Sequence, residues 1–103
     1  MSLNRDRGKR AEREIAKRLG GRRIGTLCAE DILHPVYSIE CKSRIAFAGE
    51  RFLEQAERHC EKGKTPLAIV HVQGQRHGND IVLMRLKDFE AHNGEVKGME
   101  VKA

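Results

Sequence analysis

The chain has no tryptophan, one tyrosine and three phenylalanines, so aromatic side chains make up 4% of its 103 residues. That leaves few platforms on which the bases of a single strand would stack. Its three cysteines, Cys28, Cys41 and Cys60, are odd in number and widely spaced, with no CxxC pair. Neither a disulfide framework nor a zinc ribbon is supported. The nearest thing to a metal-ligating pair, His59 and Cys60, would be neighbours on a helix and splayed about 100° apart. There is no apolar run long enough to span a bilayer and no internal repeat or linker, and the opening "MSLNRDRGKR" is too polar for a signal peptide. These absences lead us to expect one globular domain over residues 1–93 with a polar tail at 94–103, in a reducing, cytoplasmic setting.

What the chain does have is charge, and its distribution matters more than its total of +5. Residues 1–23 hold nine Lys/Arg against three acids, a net of +6, while the remaining 80 residues carry a net of −1. Nearly all the positive excess therefore sits on one element, as expected of a surface that meets a polyanion; a solvated basic helix face is the plain alternative.

From Asn4 or Asp6 to Leu19, the residues Ala11, Ile15 and Leu19 recur every four positions with Ala16 beside them, and Gly20–Gly21 stops the pattern. This predicts an amphipathic helix. "RRIGTL" and "EDIL" read as short strands, His34–Pro35 as a turn, and "VYSIECK" as a third strand. A second helix is predicted from about Glu50 to Lys62. After it come "PLAIVHV", a continuous apolar run of the kind covered on both faces, the basic turn "QGQRHGND", the strand "IVLMRL" and a short helix at "KDFEAHN". The order α-βββ-α-ββ-α predicts an α/β fold, a mixed β-sheet of about five strands flanked by helices.

Within "YSIECKS" the alternation of a strand sends Tyr37, Ile39 and Cys41 to one face and Ser38, Glu40 and Lys42 to the other. One face packs, and the other is free for chemistry. Asp31 lies in the strand before the turn, so paired strands would set it against Glu40. Like charges that close raise one carboxyl's pKa unless a cation lies between them, and Mg²⁺ is the natural resolution.

Asp31 followed by "ECK" resembles the PD-(D/E)XK nuclease superfamily, with "ED" at Glu30–Asp31 standing where the signature has "PD". "RGKRAEREIAKRL", Arg7 to Leu19, resembles the first helix of archaeal-type Holliday-junction resolvases, enzymes of DNA recombination, and of their phage relatives; "FLEQAERH" offers Gln55 where several branches carry a glutamine. The resemblance spans about Arg5 to Leu86. It implies a restriction-endonuclease-like core and a metal-dependent DNA endonuclease of phage or prophage character. Asp31, Glu40 and the Cys41 backbone carbonyl would hold Mg²⁺ or Mn²⁺, and Glu12 would reach a metal through water or hold a second ion. Lys42 would orient or help deprotonate the attacking water, or stabilise charge on the phosphate, and Gln55 would position water or phosphate.

Branched DNA is recognised through backbone geometry, so Arg7, Lys9, Arg10, Arg13, Lys17, Arg44 and Arg76 are the candidate phosphate contacts, and symmetric cutting implies a homodimer. Rival expectations are a nicking, flap-cutting or general nuclease, and a non-catalytic DNA-binding protein. Each residue also has an ordinary alternative. Glu40 and Lys42 would be an exposed ion pair, Glu12 a helix-surface partner of a neighbouring cation, Gln55 a polar helix flank, His71 a core or edge histidine, and His77 with Arg76 part of a solvated turn.

Overall fold

The computed structural model of the chain describes residues 3–24 and 32–93; Asp31, with Glu30 and Cys28, and the tail from Gly94 lie outside the described residues. The fold divides into two compact units, Met1–Ile45 with Glu90–Ala103, and Ala46–Phe89.

In the first unit, α1 (Leu3–Leu19) leads into β1 (Arg22–Arg23) and β2 (Ile32–Leu33), which pair antiparallel with Arg22 opposite Leu33 and Arg23 opposite Ile32. The helix buries Ala16 at 4% exposure, with Ala11, Ile15 and Leu19 half-buried on the same side. It ends because Gly20 adopts φ 75°, a left-handed conformation that glycine enters without a Cβ penalty. The Gly21 N–H then returns to the Ala16 carbonyl at 2.8 Å, the reversed bond of a Schellman C-cap. Gly21 is required for a second reason: a Cβ there would lie 2.7 Å from both Ile32 Cγ2 and the Leu33 carbonyl oxygen. The absence of that atom lets the end of α1 close onto β2, where Ile32 is fully buried.

His34 completes this unit. Its Nδ1 accepts the backbone N–H groups of Val36 and Tyr37, at 3.1 and 3.2 Å, so the ring proton belongs on Nε2, which donates to the Leu19 carbonyl at 2.9 Å. One imidazole thereby satisfies an orphan carbonyl of the helix end and shapes the turn at Pro35.

In the second unit, α2 (Glu50–Arg58) packs through buried Leu53 and is followed by β3 (Ala68–Val70) and β4 (Ile81–Leu83). These strands pair antiparallel, Ala68 with Leu83, Ile69 with Val82 and Val70 with Ile81. A 3-10 turn, His77–Asn79, lies in the connection. α3 (Leu86–His92) begins in this unit and ends in the first.

The restriction-endonuclease-like core expected from the sequence is corrected here. Among the described residues, two separate two-stranded antiparallel sheets stand in place of a five-stranded mixed sheet. The reasons are local. In "VYSIECK" the N–H groups of Val36 and Tyr37, which a ladder needs, are taken by His34, and the stretch contributes a single antiparallel bridge, Ile39 to Ile32. "PLAIVHV" is not covered on both faces: Leu67, Ile69 and Val72 remain 46–63% exposed, and among the described residues β3 pairs with β4 alone. No helix among the described residues is long and apolar enough to cross a membrane.

Candidate functional site

On α1, successive residues turn by about 100°, which separates two faces. Arg7, Arg10, Arg13 and Lys17 fall within about 120° of one another on the exposed side, with Glu14 among them and Lys9 on the flank. Glu12 lies on the opposite side with Ile15, Ala16 and Leu19, where α1 packs on β1 and β2. There its Oε1 accepts a hydrogen bond from Arg23 Nε at 2.8 Å, in a pair whose side chains are only 20% and 29% exposed. A second ion pair fixes the end of the helix: Arg18 Nη2 lies 2.6 Å from Glu90 Oε1, and this hydrogen bond holds the guanidinium pKa above its ordinary value.

The bridge between Ile32 and Ile39, with Ile32 N–H reaching the Ile39 carbonyl at 3.4 Å, joins the two segments that carry the expected acids. Glu40 follows Ile39 in the chain, and Asp31, outside the described residues, precedes Ile32. Glu40 and Lys42 meet in an ion pair although no strand forms here: Lys42 Nζ lies 2.9 Å from Glu40 Oε2, with both side chains more than half exposed. Such a pair is worth under about 1 kcal/mol, so either partner is released at little cost when a stronger ligand arrives. Cys41 lies between them, half-buried and without a disulfide.

Two residues on, Arg44 extends the positive charge. Arg7 from α1 and Ser43, Arg44 and Ile45 line a small depression of about 80 Å³ in the first unit. Arg44 is exposed, and its Nη1 donates to the Ser43 carbonyl at 3.0 Å. The structure therefore carries Glu40, Lys42 and Arg44 on one short segment, with Arg7 beside Arg44, while Glu12 is joined to Arg23.

Gln55 belongs to the second unit. It lies on α2 and lines an open apolar hollow with Phe52, Ala56, His59 and the strand residues Ala68 to His71. Arg76 is exposed in the β3–β4 connection, at the start of the 3-10 turn.

Two groupings were not foreseen from the sequence. Arg85 clasps Glu50 and Glu57 on α2. In the β3–β4 connection, Asp80 accepts from two imidazoles at once, Oδ1 at 2.6 Å from His71 Nδ1 and Oδ2 at 3.1 Å from His77 Nδ1, and the two rings lie 4.2 Å apart. The spacing His-x5-His-x2-Asp was the available signal, but only the strand register shows that its ends meet. Compared with known protein families, curated proteins and solved structures, the chain matches none.

Proposed function

We propose that the protein is a metal-dependent DNA endonuclease that hydrolyses phosphodiester bonds, acting on branched or junction DNA as a homodimer in the cytoplasm of a bacterial or phage-infected cell. The observation that carries this proposal is the Ile32–Ile39 bridge, which joins the segment following Asp31 to the segment that presents Glu40, Lys42 and Arg44. The donor chemistry suits a hard divalent cation: Glu40 is an exposed carboxylate paired with Lys42 at the surface, the carbonyl of Cys41, next to it in the chain, is a further oxygen donor, and Asp31 contributes a carboxylate to the sequence just before Ile32. Mg²⁺ or Mn²⁺ held there would supply Lewis-acid polarisation of the scissile phosphate and lower the pKa of water.

The chain's own groups then have distinct tasks. Arg7 and Arg44 grip the phosphate beside the scissile one, and the stripe of Arg10, Arg13 and Lys17 tracks the backbone further along. Lys42 Nζ, released from Glu40, donates to the attacking water or to the charge developing on the phosphate. Glu12, paired with Arg23, holds the inner side of α1 against β1 and β2.

A second reading, a DNA-binding protein without catalysis, is favoured by one observation: Glu12 and Glu40 each already have a cationic partner, Arg23 and Lys42. Incubation with a labelled four-way junction and a matched linear duplex, in Mg²⁺ or EDTA, alongside Lys42→Ala, separates the two. Metal-dependent symmetric nicks on the junction that vanish in the variant support the junction endonuclease. Equal cutting of both DNAs leaves a general nuclease, and binding without cutting in Mg²⁺ or Mn²⁺ selects the second reading.

A further inference from the structure

We propose that the turn between β3 and β4 is a transition-metal site, in which His71, His77 and Asp80 hold one borderline divalent cation of the Zn²⁺ type. This site is distinct in residues and in chemistry from the oxygen ligands assigned to Mg²⁺.

The turn's topology creates the grouping. β3 and β4 are in register through Val70 and Ile81, so the next pair outward is His71 and Asp80, the residues that flank the strand ends. His77 returns to them through the 3-10 turn, three residues before Asp80. The turn is fixed by its own backbone: Asn79 N–H reaches the Arg76 carbonyl at 2.9 Å and Asp80 N–H the His77 carbonyl at 3.0 Å. Three ligands thus come from a strand end, a turn and a strand start, the turn and strand start being tied by main-chain bonds, and their ligating atoms all lie within 4.8 Å of one another.

The orientation of the side chains points to a cation at their centre. Both imidazoles direct Nδ1 at the same carboxylate, one to each oxygen, and the rings stack 32° from parallel. Tetrahedral Zn²⁺ with bonds of 2.0–2.1 Å sets its ligand atoms about 3.3 Å apart. The two imidazole nitrogens lie 2.6 and 3.1 Å from the Asp80 oxygens, and all the ligand atoms lie within 4.8 Å of one another, so side-chain adjustments on the scale of an ångström bring them to that spacing. Two imidazole nitrogens and one carboxylate form a donor set that prefers Zn²⁺, Co²⁺, Ni²⁺ or Cu²⁺ to Mg²⁺. Asp80 is 15% exposed and anchors the site from below, whereas His77 is 82% exposed, which leaves the outer position to water. The bound ion would pin the far end of the hairpin.

The test uses the full chain without a histidine tag, stripped with EDTA and titrated with Zn²⁺ against a chromogenic chelator. We expect one ion per chain, not displaced by a large excess of Mg²⁺. His77→Ala and Asp80→Asn should each weaken binding by more than about tenfold, since altering even the outer partners of metal ligands costs 10–100-fold. His59→Ala combined with Cys60→Ser should change nothing. Because His77 lies at the surface, its variant keeps the fold, and the zinc-induced rise in unfolding temperature seen in the wild type should be absent from it. Equal Zn²⁺ affinity in wild type and His77→Ala, loss of binding in the His59/Cys60 variant, or displacement by Mg²⁺ would each overturn the assignment. None of these outcomes bears on cleavage at Glu40 and Lys42.

Discussion

Arg85 grips Glu57 with two parallel bonds, Nε to Oε2 at 2.8 Å and Nη2 to Oε1 at 3.1 Å, which is the fork geometry only arginine supplies. Its Nη1 also reaches Glu50 at 2.8 Å, so one guanidinium ties together both ends of the same face of α2. The backbone carbonyl of Arg85 meanwhile accepts the N–H groups of Asp88 and Phe89, at 3.0 Å each, at the start of α3. The hydrogen bond from Arg85 holds the Glu57 carboxyl below its ordinary value of 4.5, and the two acids raise the arginine's.

The pH dependence follows from the sign of that shift. A carboxyl whose folded pKa is lowered contributes stability that is full above its unfolded value, about 4.5, and is lost as pH falls through the folded one. Arg85→Ala should therefore lower the urea midpoint most at neutral pH, and the gap from wild type should close below about pH 4. Arg85→Lys, which keeps the charge and loses the fork, should fall between. A gap that is unchanged from pH 7 to pH 3 would mean that Arg85 acts through packing and not through Glu57.

His34 predicts a graded loss. Removing the ring in His34→Ala leaves the Leu19 carbonyl and the N–H groups of Val36 and Tyr37 without their partner in a site only 9% exposed. The expected cost is about 1–3 kcal/mol by denaturant unfolding. His34→Asn should recover part of this, because its Oδ1 can accept the Val36 N–H as an Asx turn while the tie to Leu19 stays broken. Equal stability of the two variants would show that the contact with α1 dominates.

How much of this was readable beforehand depends on the distance over which each feature is decided. The helices were legible, because the four-residue recurrence of Ala11, Ile15 and Leu19 and the Gly20–Gly21 stop are local, and the structure places α1 at Leu3–Leu19. Glu40 and Lys42 do meet in an ion pair, but in a segment outside any strand, so strand alternation is not what brings them together. The sheet was not legible. Whether "VYSIECK" forms a ladder is decided by His34, whose ring takes the Val36 and Tyr37 donors while reaching back to Leu19, fifteen residues away. The partner of Glu12 was hidden in the same way: periodicity puts Glu12 on the inner side of α1, but only the turn after Gly21 delivers Arg23 to it. The His71, His77 and Asp80 grouping needed the register of β3 and β4, which composition does not contain.

The opposed faces of α1 give a prediction about salt. Arg10, Arg13 and Lys17 are exposed, so each that contacts a DNA phosphate should reduce the slope of log K against log salt by about 0.9 when changed to Gln. Arg18→Gln is the internal control: its guanidinium is already committed to Glu90, so the slope should stay near that of wild type. Equal effects at all four positions would indicate a response to net charge and not to the stripe.

Glu12 and Arg23 should be coupled in stability. They form a partly buried pair at 2.8 Å, and a double-mutant cycle of Glu12→Gln and Arg23→Gln is expected to give an interaction of about 1 kcal/mol, within the 0.5–3 kcal/mol range of contacting residues. A value near zero would mean that the pair opens freely, and Glu12 would then be available to a cation.

Cleavage and binding should separate at the bridge. Lys42→Ala removes the ammonium that lies 2.9 Å from Glu40 but leaves the stripe on α1 and the Arg7–Arg44 depression intact. Asp31→Asn keeps side-chain volume and removes one charge. If phosphodiester hydrolysis depends on these groups, both variants should bind junction DNA within a few-fold of wild type while cutting falls by at least about 10²-fold, the scale on which removing a positioned acid, base or charge-stabilising donor acts. Glu40→Gln should behave likewise in Mg²⁺ and in Mn²⁺, because a carboxamide is a weaker ligand for both. If all three variants lose binding and cutting in equal proportion, the segment after Ile39 serves to hold DNA, and the protein is a binding protein whose exposed carboxylate and ammonium are an ordinary surface pair.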